Sequence, residues 1–377
     1  MKLSKSIDFL LENAGPVIQY RLRKEILCNL KKTEEENLLE QIYQTPYFKL
    51  LQRYIKLNGY IGSGAHSWDN WRGVILHETP LQDGEAAARL LSYFAIPKTH
   101  PIVVNFIAAM RDKDTLRNEF SYIPPEVERY ENRYRGINSG FCLMILIYTM
   151  QAMLGYGDDE YVKPFQSVSL EAFESILPLS SINEITKIRQ GKAKYNYPYI
   201  EESTSFPCQY HLEVLAYTNA WRTPENIVLM TNSLNHYNAI LHGANPMKVK
   251  IGSNYYVPFT LNMSNSPIRP FRADVIDNIT YRRLLTEIAM LGVGESVGVI
   301  KDSIAGIDDA IGDDGILKMR FDLQHNKRYS PKNIEYPTPY VDVRLEQDYK
   351  RKYALECDLT FWAVQFLYLC DNADFHK

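Results

Sequence analysis

The densest set of side chains able to do chemistry lies in the run His66-Ser-Trp68-Asp69-Asn-Trp71-Arg72, with His77-Glu78 and Asp83-Gly-Glu85 close behind. Loops held on a rigid scaffold are where binding and catalysis concentrate. His66, Asp69, Asp83 and Glu85 are the candidate catalytic groups, because imidazoles and carboxylates move protons once their surroundings tune them. Trp68 and Trp71 are candidate substrate platforms, together with Tyr195, Tyr197 and Tyr199 of a Tyr-Asn-Tyr-Pro-Tyr run and with Trp362. Aromatic rings offer an apolar face to a substrate and a quadrupole to a cation. Glu85 also has a plainer reading, as a charge answering the dipole of the helix it begins.

A second constellation is built for a metal. Cys208-Gln-Tyr-His211 places a thiol and an imidazole one helical turn apart, and Glu356-Cys357-Asp358 adds a thiol and carboxylates at the start of another helix. Cys208, His211, Cys357 and Asp358 are the candidate ligands, among which a thiolate, an imidazole and a carboxylate would bind zinc and leave one coordination position open. The competing reading is two buried thiols and a hydrogen-bonded histidine. Three acidic runs read as charged turns: Asp112-Lys-Asp114, Asp158-Asp-Glu160 and the stretch from Asp308 to Asp314. Gly312 interrupts the last, and Asp313-Asp-Gly is itself a turn signal.

These residues need elements to hold them, and the chain offers helical pairs. Val103, Phe106, Ile107 and Met110 fall on one helical face, and Thr99 and Pro101 supply start signals. Six helices that face inward are expected to begin near Pro16, Gly84, Gly140, Pro207, Asn278 and Asp358. More polar second helices are expected at 35–57, 101–110, 169–177, 223–241 and 295–304. The short helix 7–13 would supply the outer partner of the last inner helix and close a ring. The run Phe141-Cys-Leu-Met-Ile-Leu-Ile-Tyr-Thr-Met150 is apolar all round, which a helix accepts only when covered on every side. Residues 247–251 and 255–261, joined by Gly252-Ser-Asn254, read as a β-hairpin lying on the helices.

With 377 residues, 45% hydrophobic and 23% charged, the composition is that of a protein with a large buried core. A net charge of −3 gives no basic footprint, so nucleic acid is not expected as a main partner. No apolar stretch reaches the length of a membrane span, and the N-terminal residues lack the pattern of an export signal. The expected location is the cytoplasm, with the five scattered cysteines reduced. Tyrosine is over-represented at 27 residues, enough to line helix interfaces or an aromatic cavity.

Gly59-Tyr-Ile-Gly-Ser-Gly-Ala-His66, followed by the Gly84 helix, resembles a glycine-turn connection of the prenyltransferase and terpenoid-cyclase α/α toroids. Asp313-Asp-Gly-Ile-Leu-Lys-Met-Arg-Phe321, followed by Tyr349 to Thr360, is similar to a second such connection. The segment from Phe9 to Ile26 looks like the first hairpin of uncharacterised bacterial members. The resemblance implies an all-α fold: one α/α toroid of about six helical hairpins over residues 1–377, with the small hairpin inserted near 247–261. It implies a central cavity that binds, and as a terpenoid-cyclase-like or prenyltransferase-like protein transforms, an apolar or isoprenoid-like small molecule. Protein prenyltransferases of this fold hold zinc with Asp, Cys and His, which is the company in which zinc is expected here. The Asp-x-Asp-Asp acid of the toroidal cyclases is missing. Two other readings stand beside this one. One is a carbohydrate-active lyase or glycosidase on a toroid, drawing on the His66–Glu85 segment with Arg135, Asn138 and the tyrosine run. The other is a non-catalytic scaffold for a protein partner.

Overall fold

The computed structural model describes residues 2–65, 70–71, 74–75, 83–119, 144–190, 196–241, 247–251, 253–256, 261, 267–274, 279–319, 345–348 and 350–371. They form a mostly helical protein with a small mixed sheet. The chain divides into two compact units, each assembled from separate stretches. The first comprises Met1–Ser121, Phe271–Arg283 and Asp302–Asp371, and the second Tyr122–Pro270, Leu284–Lys301 and Asn372–Lys377.

In chain order the first unit opens with α1 (Lys2–Asn13), α2 (Pro16–Arg21, prolonged by a π-helical turn Leu22–Ile26), α3 (Lys32–Tyr43) and α4 (Pro46–Arg53). A two-stranded pair, β1 (Asn70–Trp71) and β2 (Val74–Ile75), precedes α5 (Gly84–Tyr93), α6 (Pro101–Arg111) and α7 (Lys113–Glu119). The second unit holds α8 (Met144–Gln151), α9 (Pro164–Glu174), β3 (Lys187–Ile188), β4 (Pro198–Glu201), α10 (Gln209–Ala216), α11 (Pro224–Ile240), β5 (Lys248–Ile251) and β6 (Asn254–Tyr256). The chain passes between units within α12 (Ile279–Met290) and α13 (Gly298–Ala310), and α14 (Ala354–Asp371) returns to the first.

A helix stands near each of the six places where an inward-facing one is expected. Every side chain from Ile145 to Gln151 of α8 and every one of α10 is buried, as an all-round apolar helix requires. By contrast α6 and α11 show an open face, with Val104 43% and Val228 58% exposed. The single helix expected over 35–57 is in fact two. Pro46 begins α4 after Thr45 in extended backbone (φ −65°, ψ 153°), because the ring has no N–H to continue α3 and restricts the residue before it.

The glycine connections repeat in atomic detail. In the first, Ile55 bridges Ile61, the amide of Lys56 donates to Tyr60, that of Gly59 to Lys56 and that of Gly62 to Tyr54. In the second, Ile311 bridges Leu317, and the amides of Gly312, Gly315 and Lys318 donate to Ile316, Gly312 and Ala310. Gly59 (φ +86°) and Gly315 (φ +79°) hold the same left-handed position. Each also lies against helix backbone that a Cβ would strike, Gly59 against Asn105 of α6 and Gly315 against Lys5 and Ser6 of α1. Thus α1 stands to the last connection as α6 stands to the first. The expected pairing of the N-terminal helix with the C-terminal one is present. Leu10 of α1 packs in one apolar cluster with Ile18, Leu22, Cys357, Phe361 and Val364, and Ser6 Oγ donates to the Gly315 carbonyl at 2.6 Å.

The expected hairpin forms as β5 and β6, antiparallel with Ile251 opposite Asn254. It does not lie on the helices as a free ribbon. β5 pairs in parallel with β4, and β4 antiparallel with β3, giving the order β3-β4-β5-β6. The tyrosine run, which carried no strand expectation, supplies β4. A two-stranded ribbon is marginal alone, and two further strands remove that weakness.

Candidate ligand-binding cleft

Asp83 and Glu85 are placed at the start of α5, fully buried and engaged in the fold. Asp83 accepts from the Ala86 amide at 2.8 Å, the cap of the helix. Glu85 Oε1 accepts from Nε and Nη2 of Arg89 at 3.0 and 2.6 Å, in a pair with side chains 0% and 1% exposed. The Gly62–Ala65 loop seats this helix end, with Gly84 and Glu85 amides donating to Gly64 and Ala65 carbonyls. Glu119 closes the loop from α7, accepting from the Gly64 amide at 2.8 Å and pairing with Lys56. Tyr60 donates to the Gly64 carbonyl at 2.9 Å, and burial, with Glu119 and Asp83 nearby, pushes its hydroxyl well above the ordinary range. His66, Trp68, Asp69 and Tyr195 lie outside the described residues, as do Arg135 and Asn138. Trp71 is known only as a backbone position of β1, opposite Val74. Tyr197 and Tyr199 belong to the outer face of the small sheet.

The proposed zinc ligands are divided between the two units. In the second unit, His211 Nδ1 accepts the Cys208 amide at 3.1 Å as the helix α10 begins. In the first, Cys357 sits within the α1–α2–α14 apolar cluster, and burial pushes its thiol up to about 12. Asp358 accepts from the amides of Leu345 and Glu346 at 3.2 and 3.0 Å. Among the described residues, no group of three or more His, Cys, Asp or Glu side chains is gathered to hold a metal. Near Cys357, Glu346 is buried with its pKa raised by burial, against the opposing pull of the Gly15 amide and Arg351.

The acidic runs differ among themselves. Asp112 is an exposed turn acceptor for Thr115, as expected. Asp158 is likewise an exposed turn residue, and it also ties down a neighbouring loop. It accepts from the Asn219 and Ala220 amides and from Gln166, and these bonds hold its pKa below the carboxylate range although burial opposes them. Asp314 belongs to the second glycine connection. There Lys318 at 2.7 Å and the Ile316 amide hold its carboxyl low.

That connection and the start of α14 enclose a cleft of about 610 Å³, lined by Ile316, Leu317, Met319, Leu355 and Leu359 with Ala273, and edged by Asp314, Lys318, Glu356 and Tyr353. Small-molecule sites commonly have volumes of about 300–1,000 Å³ and an apolar lining with few polar groups. Tyr353 holds a left-handed backbone (φ +66°), a costly conformation for a non-glycine residue, and its ring meets Phe9 edge-on at 5.7 Å. Leu359 lines the cleft. Trp362 follows it by three residues on α14, with Phe271 and Phe366 at 5.3 and 5.8 Å and the Arg282 guanidinium over its ring at 5.6 Å. Trp362 is 7% exposed. Sequence reasoning named Trp362 but missed the cleft lining, whose one signal was the glycine connection beside it.

Comparison with known protein families, with curated proteins and with solved structures finds no match for this chain. Among the described residues, no helix is long and apolar enough to cross a membrane.

Proposed function

We propose that the cleft beside α14 binds an apolar, isoprenoid-like small molecule bearing a neutral or cationic polar end. The observation that carries this reading is the lining: aliphatic side chains form the wall, and the rim holds two carboxylates, Asp314 and Glu356, against one lysine, Lys318. Such a rim disfavours a diphosphate and favours a hydroxyl or an ammonium group. Asp314 is held ionised at neutral pH, so it does not supply the proton that starts a cyclisation. An α/α toroid of hairpins belongs to the same reading, supported by the two equivalent glycine connections and by the pairing of α1 with α14.

Titration calorimetry with farnesol and with farnesyl diphosphate tests it. Farnesol is expected to bind more tightly than the diphosphate, and Leu359→Trp, which fills the cleft, is expected to abolish the heat. Absence of farnesol binding, or binding unaffected by Leu359→Trp, would overturn the proposal.

A further inference from the structure

The small sheet of the second unit has two unlike faces. Ile200 and Val249 are buried on one of them, both 0% exposed. Alternation along the strands puts Tyr197, Tyr199, Glu201, Lys248 and Lys250 on the other. The register carries that face across the sheet. Lys187 stands opposite Tyr199, Tyr199 beside Lys248, Glu201 beside Lys250, and Lys250 opposite Tyr255. Arg189 extends it, its amide donating to the Tyr197 carbonyl at 3.0 Å. Three tyrosines and four cations thus share one surface with a single acid.

The charges do not cancel. Glu201 is taken by Lys187 at 3.1 Å and Lys250 at 3.5 Å. Arg189 and Lys248 have no carboxylate partner among the described residues. Arg189 is nevertheless held in place: Nη1 donates to the Tyr197 hydroxyl at 2.5 Å, and the guanidinium lies 4.6 Å from the Tyr255 ring centre and 5.4 Å from that of Tyr197. A planar cation fixed by two rings keeps its remaining N–H groups in a fork matched to a carboxylate. The three rings meet nearly at right angles, Tyr255 with Tyr197 at 83° and with Tyr199 at 86°.

From this arrangement we propose that the Tyr197–Tyr199–Tyr255 face binds an acidic oligosaccharide, with Arg189 receiving a sugar carboxylate and the phenols meeting the ring hydroxyls. A polynucleotide fits less well. Flat bases need bare ring faces, whereas Arg189 lies over Tyr255 and Lys250 over Tyr199 at 5.8 Å.

The test is calorimetry of the full chain with oligogalacturonate, its methyl ester and oligouridylate. The free acid is expected to bind and the methyl ester to bind far more weakly. Arg189→Ala is expected to weaken binding by about tenfold or more, the loss of one charge-assisted contact, with Arg189→Lys in between and Tyr255→Ala also weakened. These side chains are not in the core, so unchanged circular dichroism would show that the variants fold. No binding of the free acid, equal binding of the ester, indifference to Arg189→Ala, or tighter binding of oligouridylate would each overturn the proposal.

Discussion

Replacing Gly315 by alanine tests the equivalence of the glycine connections at the point where it carries most consequence. At φ +79° an alanine is strained, by roughly 1–2 kcal/mol. Its Cβ would also lie 2.5 Å from the Lys5 carbonyl carbon and 2.6 Å from the Ser6 nitrogen. Those are backbone atoms of α1, so no rotamer change relieves the contact. Relief requires α1 to shift, which disturbs the packing of Leu10 against Phe361 and Val364 and the Ser6–Gly315 hydrogen bond. Such overpacking costs about 1–3 kcal/mol, and a lost hydrogen bond about 1 kcal/mol. The expected total is about 3–6 kcal/mol in urea unfolding, with faster amide exchange confined to α1 and the start of α14. Gly312→Ala is the control. The atoms nearest its Cβ would belong to the Asp314 carboxylate and the Lys318 side chain, exposed groups that yield at the cost of a surface ion pair and one hydrogen bond, so its effect should stay near about 1 kcal/mol. Equal stabilities for the two variants would refute the assignment of Gly315 to a backbone contact with α1.

Three further outcomes follow from the buried polar groups. Removing one partner of the Glu85–Arg89 pair, as in Glu85→Gln, is expected to cost about 3–5 kcal/mol, and the Glu85→Leu/Arg89→Met double variant appreciably less. A double variant as unstable as the sum of its parts would show that the pair is not the source. Asp83→Ala should cost about 1 kcal/mol of stability and Asp83→Asn much less, because asparagine retains the capping oxygen; identical losses on denaturation would contradict the cap. The Cys357 thiol, raised from 9.0 to about 12 by burial, favours the folded state while protonated. That contribution is full below about pH 9 and lost as pH climbs towards 12. Stability measured by urea unfolding should therefore fall over that interval, and less steeply in Cys357→Ala; parallel curves would contradict the linkage.

The helices could be read from the sequence because their information is local. Apolar spacing in 103–110, the prolines that open α2, α4, α6, α9 and α11, and Asp83 before Gly84 each act within a turn or two. The glycine connections were legible for the same reason, since a left-handed position between short apolar residues needs glycine. Even there the sequence missed the break at Pro46, where a local signal was present and the apolar pattern on either side concealed it.

What the tertiary structure decided is the use to which each side chain is put. Asp83 and Glu85 look like acid-base groups beside a histidine-rich loop. In the fold one caps a helix and the other is half of a buried ion pair. Cys357 lies in an apolar cluster that raises its thiol pKa, and Asp358 Oδ1 accepts two backbone amides. The sheet face exists only because β4 runs parallel to β5 some fifty residues later, a pairing no local pattern encodes. Periodicity reports which side of an element is apolar, and it is silent on what the other side will meet. Burial, charge and hydrogen bonding are set by neighbours distant in sequence, and they settle whether a carboxylate caps a helix or a tyrosine joins the open face of a sheet.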